Sequence, residues 1–446
     1  MPRNTGHADL PLHLGTVPKW LADRMRDLGT LIIESLIIQY GKQEVLRRLS
    51  DPLWFQSLGA VLGMDWHSSG ITTSVMYALK RGINARAKDF GLVVCGGRGK
   101  YSRKTPEELE FVSNMAGLDG DGLVRNSKLV AKVDNTAVQD GFQLYQHNFI
   151  VSDEGDWTVV QQGMNSATRT ARRYHWCSEN LKSFVEDPHT GITGENQKFI
   201  LNLTDTEAKE TRSSILSLTK ENPARIINEL KLVKENGLPE NVVKAREMQL
   251  ELFADSDIKL PLVNKNGKEL VNSMVPGEEM LQPVVSRNIV MPFHHDVREE
   301  DVDLKRLGGV LATAYESDPK DFESLLLTPG LGPRTLQSLT LVSEVINGTP
   351  SRFRDPARFS FAHGGKDGHP FPVPLRIYDE SIRILGDAIE KSRMGYSEKS
   401  DCINRLHKTQ LAIEENCDPR ADFDAVLEHE KLNLPGWEGR TITKKY

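Results

Sequence analysis

The chain has 446 residues, of which 38% are hydrophobic and 26% are charged, and its formal net charge is -6. This length predicts two or three domains of roughly 100–200 residues each. The acidic balance excludes the whole-chain basic signature of many nucleic-acid-binding proteins, so any such surface has to be local.

The sequence carries no pattern typical of secretion or of membrane insertion. The first residues, MPRNTGHADLPLHLG, have no apolar segment after the basic residue. The most apolar early run, residues 28–41, is shorter than the roughly 20 residues that a membrane span needs. Cys95, Cys177, Cys402 and Cys417 have no short paired spacing, which predicts neither a disulfide framework nor a thiolate zinc site. We therefore expect a cytoplasmic protein without membrane contact.

The N-terminal half is predicted to be α/β, of the mixed α+β kind, with an antiparallel sheet. Apolar residues at spacings of three and four predict a helix over 18–50 that is broken at Pro52. Residues 120–165 alternate apolar and polar side chains around the turn SDEGD, which predicts antiparallel strands with a hairpin. A helical pattern returns over 206–254.

The C-terminal part is predicted to be all-helical. Its helical patterns cover 301–318, 320–327, 333–347, 375–393 and 398–416. The predicted organisation is a catalytic α/β domain (1–258), an extended linker (259–299), a helical domain (300–430) and a polar tail (431–446).

One turn in this helical domain has a pattern that suits phosphate binding. In LLLTPGLGPRT, residues 325–335, the glycines permit positive φ and leave backbone N–H groups uncovered, and Pro333 starts a new helix. The pattern resembles the helix-hairpin-helix motif. The matching residues are Leu327, Pro329, Gly330, Leu331 and Gly332, followed by Arg334 and Thr335 as the polar pair. The resemblance implies sequence-independent contact with a DNA backbone; an ordinary helix-to-helix turn is the alternative.

Three further segments are candidates for DNA contact because basic residues cluster in them. They are the loop SRFRDPARFSFAHGGKDGHPFPV with Arg352, Arg354 and Lys366, the loop CGGRGKYSRKT with Arg98 and Lys100, and RRYHW with Arg172 and Arg173. For the two loops, the alternatives are a solvated basic turn and phenylalanines that only anchor the loop to the core.

Several sequence blocks together resemble one family. DLPLHLG, LSDPLWFQSLGAVLGMDWHSSGITT, AKVDNTAVQDGFQLYQH, WTVVQQGMN, RRYHW and FAHGGKDGHPFPV are similar to the prokaryotic family known as domain of unknown function 763. The resemblance runs from about residue 7 to about residue 410. It implies no particular mechanism.

The chemistry therefore has to be inferred from the residues, and acidic and histidine side chains are dense over 119–175. Asp134, Asp140 and His147 are the predicted ligands of Mg²⁺ or Mn²⁺, which would activate water for phosphodiester hydrolysis. Their spacing requires a bend or a helical start at 136–142, because the odd offset would otherwise place Asp140 and His147 on opposite faces of a strand.

Two other groups are candidates for catalysis. Gln161 stands where a restriction-endonuclease-like core would carry an acid, although nothing replaces the lysine of that pattern. Asp65 and His67 suit a metal site or an acid–base pair, with a helix cap and a satisfied turn histidine as the alternative.

These features favour a metal-dependent DNA nuclease acting in DNA repair or processing. Two alternatives stay open. One is a DNA-glycosylase-like enzyme using Asp355, which lies about twenty residues after Gly332 as the resemblance to such enzymes requires. The other is a non-catalytic DNA-binding or adaptor protein, and a homodimer is compatible with any of the three.

Overall fold

The computed structural model describes residues 10–11, 19–64, 69–165, 168, 170–236, 304–357 and 375–414. Within these ranges the fold is a mixed α+β fold with antiparallel sheets, as the sequence predicts. The helices are α1 (Lys19–Tyr40), α2 (Lys42–Leu49), α3 (Pro52–Val61), α4 (Gly70–Ala85), α5 (Ala87–Phe90), α6 (Thr105–Ala116), α7 (Gly120–Lys132), α8 (Lys209–Leu218), α9 (Pro223–Asn236), α10 (Leu304–Ser317), α11 (Phe322–Leu326), α12 (Pro333–Asn347), α13 (Leu375–Lys391) and α14 (Tyr396–Glu414). None of these helices is long and apolar enough to cross a membrane.

The strands form two sheets. They are β1 (Leu10–Pro11), β2 (Leu92–Arg98), β3 (Val138–Gln139), β4 (Gln143–Ser152), β5 (Trp157–Asn165), β6 (Thr170–Cys177), β7 (Gly191–Thr193), β8 (Phe199–Asn202) and β9 (Phe353–Arg354). The central sheet has the order β1-β6-β5-β4-β2, with β7 also paired to β6, and every pairing is antiparallel. The second sheet has the order β3-β8-β9.

The predicted hairpin turn SDEGD is confirmed between β4 and β5. The Ser152 N–H donates to the Asp156 carbonyl at 2.8 Å, and Gly155 adopts the positive φ of 92° that the tight turn needs. The hairpin fixes the register in which β4 and β5 pair.

Two of the predicted elements are corrected. Residues 120–132 form the helix α7 rather than a strand, because Asp119 caps the helix by accepting from the Gly122 N–H and the buried residues Leu123, Ser127 and Val130 follow a helical spacing. The single helix predicted over 18–50 is two helices, because Gly41 takes a φ of 86° between them.

Both faces of the central sheet are buried. Along β4 and β5, Phe149 and Val159 point into a core with α7, whereas their neighbours Ile150 and Val160 point into a core with α3 and α4. We call these sides the α7 face and the α3 face. Each fully buried aliphatic side chain contributes roughly 1.5–3 kcal/mol to folding. The sheet is therefore the central layer of the described fold.

The C-terminal helices lie close to the predicted positions and complete these two cores. Leu311 of α10 and Leu336 of α12 belong to the core on the α7 face, and Leu385 of α13 and Leu406 of α14 belong to the core on the α3 face. The described C-terminal helices thus share their apolar faces with the N-terminal sheet. The boundaries at 258 and 300 stay predictions, and both the predicted linker 259–299 and the tail 431–446 lie outside the described residues.

Candidate functional site

A buried carboxylate, Asp134, lies at the centre of a polar cluster on the α7 face. It is located in a π-helical turn, Val133–Ala137, that directly follows α7 and is fully buried. Its Oδ2 accepts hydrogen bonds from Trp176 Nε1 at 2.9 Å and from Gln161 Nε2. Its Oδ1 pairs with His189 Nε2 at 2.5 Å. Several donors offset the cost of removing this carboxylate from water.

From Gln161 the hydrogen bonds continue to His147 and then to Ser127, and the donor and the acceptor of each bond can be assigned. The amide nitrogen of Gln161 faces Asp134, so its Oε1 accepts from His147 Nδ1 at 2.6 Å. His147 Nε2 is then free to accept from the Ser127 hydroxyl at 2.9 Å. Burial lowers the pKa of His147, which keeps the imidazole neutral. We call the residues Ser127, His147, Gln161, Asp134, Trp176 and His189 the Asp134 cluster.

A second cluster on the same face is built around Arg172, which is fully buried. Its Nη1 contacts Asp140 Oδ2 at 2.9 Å, and its two Nη atoms bind Asp355 in a bidentate pair at 3.0 and 2.9 Å. Although burial lowers the pKa of Arg172, the charges of Asp355 and Asp140 raise it further than burial lowers it. Burial and, to a smaller extent, the charge of Asp355 raise the pKa of Asp140 to about 6, against the opposing charge of Arg172. We call Arg172, Asp140 and Asp355 the Arg172 cluster.

The predicted metal ligands are divided between these two clusters. Asp134 and His147 belong to the first and Asp140 to the second, where Arg172 and the Tyr174 hydroxyl at 2.7 Å occupy its Oδ2. In the parts of the chain that the structure describes, no group of three or more His, Cys, Asp or Glu side chains could hold a metal ion. The prediction of one metal site formed by Asp134, Asp140 and His147 is therefore wrong. These residues belong to two separate hydrogen-bonded clusters. Asp65 and His67 lie outside the described residues.

Asp355, the candidate of the glycosylase alternative, is already saturated with donors. Besides Arg172, the Ala357 N–H donates to its Oδ1 at 3.0 Å and the Gln197 N–H donates to its Oδ2 at 2.8 Å. With each oxygen accepting two hydrogen bonds, the buried carboxylate of Asp355 is fixed in position.

The α3 face carries a row of polar side chains at one register across the sheet. The directly paired residues are Arg98 of β2, Gln146 of β4, Gln162 of β5, Arg173 of β6 and Thr193 of β7. Gln162 Nε2 donates to the Ser69 carbonyl just before α4, and Gln146 Nε2 donates to the Thr72 carbonyl within α4. The Gln146 Oε1, Gln162 Oε1 and Thr193 Oγ1 atoms are buried and have no hydrogen-bond partner in the described part of the chain.

The predictions that Arg172 and Arg173 contact DNA are both wrong. They are neighbours on β6 and therefore point to opposite faces of a sheet that is covered on both sides. Arg172 belongs to the Arg172 cluster, and Arg173 donates to Gln56 Oε1 and His175 Nε2. Neither guanidinium is exposed, so neither can contact a backbone outside the protein.

The predicted hairpin tip is a turn between α11 and α12. Pro329 and Gly330 are exposed, and Gly330 has the expected positive φ of 82°, whereas Gly332 is extended. The Lys132 ammonium donates to the Leu331 carbonyl at 2.5 Å and fixes the tip against the end of α7.

The start of α12 carries two polar side chains, Arg334 and Thr335. Thr335 is buried, Arg334 is partly exposed, and neither Thr335 Oγ1 nor Arg334 Nε has a hydrogen-bond partner within the described ranges. Gly332, the N-cap residue, supplies no side-chain cap to the helix.

The remaining predicted DNA contacts differ in exposure. Arg98 and Lys100 are exposed, next to a 3-10 turn over Gly99–Lys104. Arg354 is exposed on β9, while Arg352 donates from Nη2 to the Phe199 carbonyl. Lys366 lies outside the described residues.

Sequence reasoning missed Ser127 and His189 of the Asp134 cluster. For Ser127 a signal existed, since it lies four residues after Leu123 on the buried stripe of α7, where a polar residue is unusual. His189 lies in a loop without periodicity, and nothing in its surroundings pointed to Asp134.

The chain matches a known family. The sequence model of the family described as "Protein of unknown function (DUF763)" matches residues 6–373. No curated protein and no solved structure matches the chain. The match includes both clusters and the turn before α12. The chain therefore belongs to the DUF763 family of proteins of unknown function.

Proposed function

We propose that this protein binds DNA by contacting the sugar–phosphate backbone at residues 327–335, which comprise the turn between α11 and α12 and the first residues of α12. The observation that carries the proposal is a partly exposed arginine, Arg334, in the first turn of a 15-residue helix that follows the exposed residues Pro329 and Gly330. A phosphate at this turn would accept from the Arg334 guanidinium, and the positive end of the helix dipole favours an anion there.

The charges around this turn also suit a phosphate. Arg334 is partly exposed beside the exposed Pro329 and Gly330, so a strand could reach it. The Arg306 Nη2 atom lies 3.7 Å from the position that a Cβ would take at Gly332, and the Lys132 ammonium lies at the Leu331 carbonyl. These contacts involve no base edge, so the binding is expected to be independent of sequence.

The test is the affinity of the full chain for a labelled duplex, measured by fluorescence anisotropy at several salt concentrations. Arg334→Ala is expected to weaken binding by roughly tenfold or more and to lower the salt slope by about one charge. Arg393→Ala is the matched control, because it removes an exposed charge close to the end of another helix. The proposal is contradicted if the two variants bind the duplex equally well.

Phosphodiester hydrolysis stays a prediction about the step after binding. Incubation of the same protein with DNA in Mg²⁺, Mn²⁺ or EDTA tests it, beside Asp134→Asn as a variant with unchanged side-chain shape. Metal-dependent cleavage by the wild type would establish a nuclease, whereas binding without any change in the DNA would favour a non-catalytic DNA-binding protein.

A further inference from the structure

A second positively charged surface lies at the opposite edge of the central sheet from β1. Residues 98–104, which we call the basic turn, contain Arg98, Lys100, Arg103 and Lys104 and no acidic residue. All four cations are exposed, and in the described part of the chain none of them has a carboxylate partner. Such a surface attracts a polyanion.

The basic turn is held firmly on the sheet. Gly96, just before it, has a φ of 86°, and a Cβ there would lie 2.2 Å from the His147 carbonyl oxygen. The Ser102 hydroxyl donates to the Gly99 carbonyl at 2.6 Å, and the Thr105 hydroxyl donates to the Ser102 carbonyl at 2.8 Å. A turn that is already ordered loses little entropy when it binds a ligand.

The edge strand β2 is closed to pairing with a strand of another protein. Asn84 makes two hydrogen bonds to the Val94 backbone, at 2.9 and 2.8 Å. Lys80 donates to the Gly96 carbonyl at 2.7 Å, and Glu108 accepts from the Gly96 N–H at 2.8 Å. These side chains occupy the backbone groups that strand addition would need, which argues against a peptide as the ligand of this edge.

Exposed aromatic rings accompany the cations. Tyr101 is 51% exposed with Lys100 over its ring, and Tyr77 is 57% exposed with Arg81 over its ring. Along the edge of the sheet, Asn84 of α4 contacts Val94 of β2, and Lys80, about one helical turn earlier in α4, contacts Gly96, two residues later in β2. The next turn of α4 therefore brings Tyr77 to the level of Arg98.

A cavity of about 510 Å³ lies where the basic turn ends. Lys104 and the Phe111 side chain, which is 67% exposed, contribute to its wall together with Glu107 and Asn84. Its volume is in the range of small-molecule sites, its wall contains an aromatic ring, and its polar groups include both donors and acceptors. These are the properties that an unstacked nucleobase requires.

We propose that this edge binds single-stranded DNA, with phosphates along the basic turn, a base stacked on Tyr101 and a base in the cavity against Phe111. Cations that follow the backbone and aromatic rings that stack on bases are the combination that recognises a single strand, because a duplex keeps its bases inside. This inference rests on the proposed DNA binding and adds the class of DNA and the place of contact.

The test compares affinities for a labelled single-stranded oligonucleotide and for a duplex, by fluorescence anisotropy on the full chain. The double variant Tyr101→Ala/Phe111→Ala is expected to bind the single strand at least roughly tenfold more weakly and the duplex unchanged. Tyr315→Ala, at a tyrosine that is 50% exposed on α10, is the matched control and is expected to change neither affinity. Since the replaced side chains are exposed, we expect the fold to be retained, and circular dichroism checks this.

A second readout is photocrosslinking of an oligonucleotide that carries 5-iodouracil, followed by peptide mapping. Crosslinks at Tyr101 or Phe111 would support the proposal. It is overturned if the double variant binds the single strand like wild type, or if it loses duplex affinity equally. If the wild type binds the duplex in an Arg334-dependent manner and the double variant has no effect, only this inference fails; if the wild type binds no DNA, the proposed function fails too.

Discussion

Arg172 and Asp355 form a fully buried bidentate ion pair although they are 183 positions apart in the sequence. The pair joins strand β6 of the central sheet to the segment directly after β9. Because Asp140 contacts the same guanidinium, one arginine connects three distant parts of the chain.

We expect Asp355→Ala to destabilise the protein by about 3–5 kcal/mol, because Arg172 loses one of its two carboxylate partners and two backbone N–H groups lose their acceptor in a buried site. The free energy of unfolding in urea measures this. Arg383→Ala breaks an exposed i,i+4 pair with Asp387 and is the control, with an expected change within about 0.5 kcal/mol. Equal effects of the two substitutions would contradict the role given to the buried pair.

The raised pKa of Asp140 predicts a pH dependence of stability. The pKa of this carboxyl group is about 6 in the folded chain against an ordinary value of 3.8, so the folded form binds the proton more tightly. Its contribution favours folding below about pH 4 and is lost as the pH rises through about 6.

Asp140→Asn isolates this contribution, because other carboxyl groups titrate in the same range. The stability of the variant relative to wild type is expected to rise between pH 4 and pH 7, as measured by urea unfolding at four pH values. A constant difference between the two proteins over this range would show that Asp140 does not titrate there.

The direction of the hydrogen bonds in the Asp134 cluster can be tested by Gln161→Glu. At pH 7.5 a second carboxylate beside the buried Asp134 is expected to cost about 2–4 kcal/mol. The cost should shrink at pH 5, because the neutral carboxyl group can donate to Asp134 and accept from His147 as the amide does. Urea unfolding at the two pH values measures it, and a cost independent of pH would speak against this arrangement.

Two glycines beside the basic turn provide a matched test of its packing. Gly96→Ala places a Cβ within 2.2 Å of the His147 carbonyl oxygen and 2.5 Å of Thr105 Oγ1, so we expect a loss of about 3–4 kcal/mol. At Gly99 the φ is 60° and no atom lies within 4 Å of the position that a Cβ would take. For Gly99→Ala we therefore expect only the backbone cost of about 1 kcal/mol. Thermal unfolding of both variants checks the order; a reversed order would contradict the packing of Gly96 against β4.

Local patterns in the sequence predicted the features that depend on near neighbours. The hairpin SDEGD, the turn around Pro329 and Gly330, and the C-terminal helices follow from glycine, proline and helical spacing within a few residues. The same reasoning failed for α7, where period-two alternation competed with a helical stripe of Leu123, Ser127 and Val130, and the cap at Asp119 favours the helix.

Only the tertiary structure decided whether the polar side chains of the strands are exposed or buried. A strand with alternating apolar and polar residues has the same sequence pattern whether its polar face is exposed to solvent or covered. Here, helices from the N-terminal and C-terminal parts of the chain cover both faces of the sheet. His147, Gln161 and Arg172 are therefore buried and need partners, which they find at Ser127, Asp134 and Asp355. Side chains so far apart in sequence meet only when the whole chain is packed, since burial forces each polar group to find a hydrogen-bond partner wherever the fold supplies one.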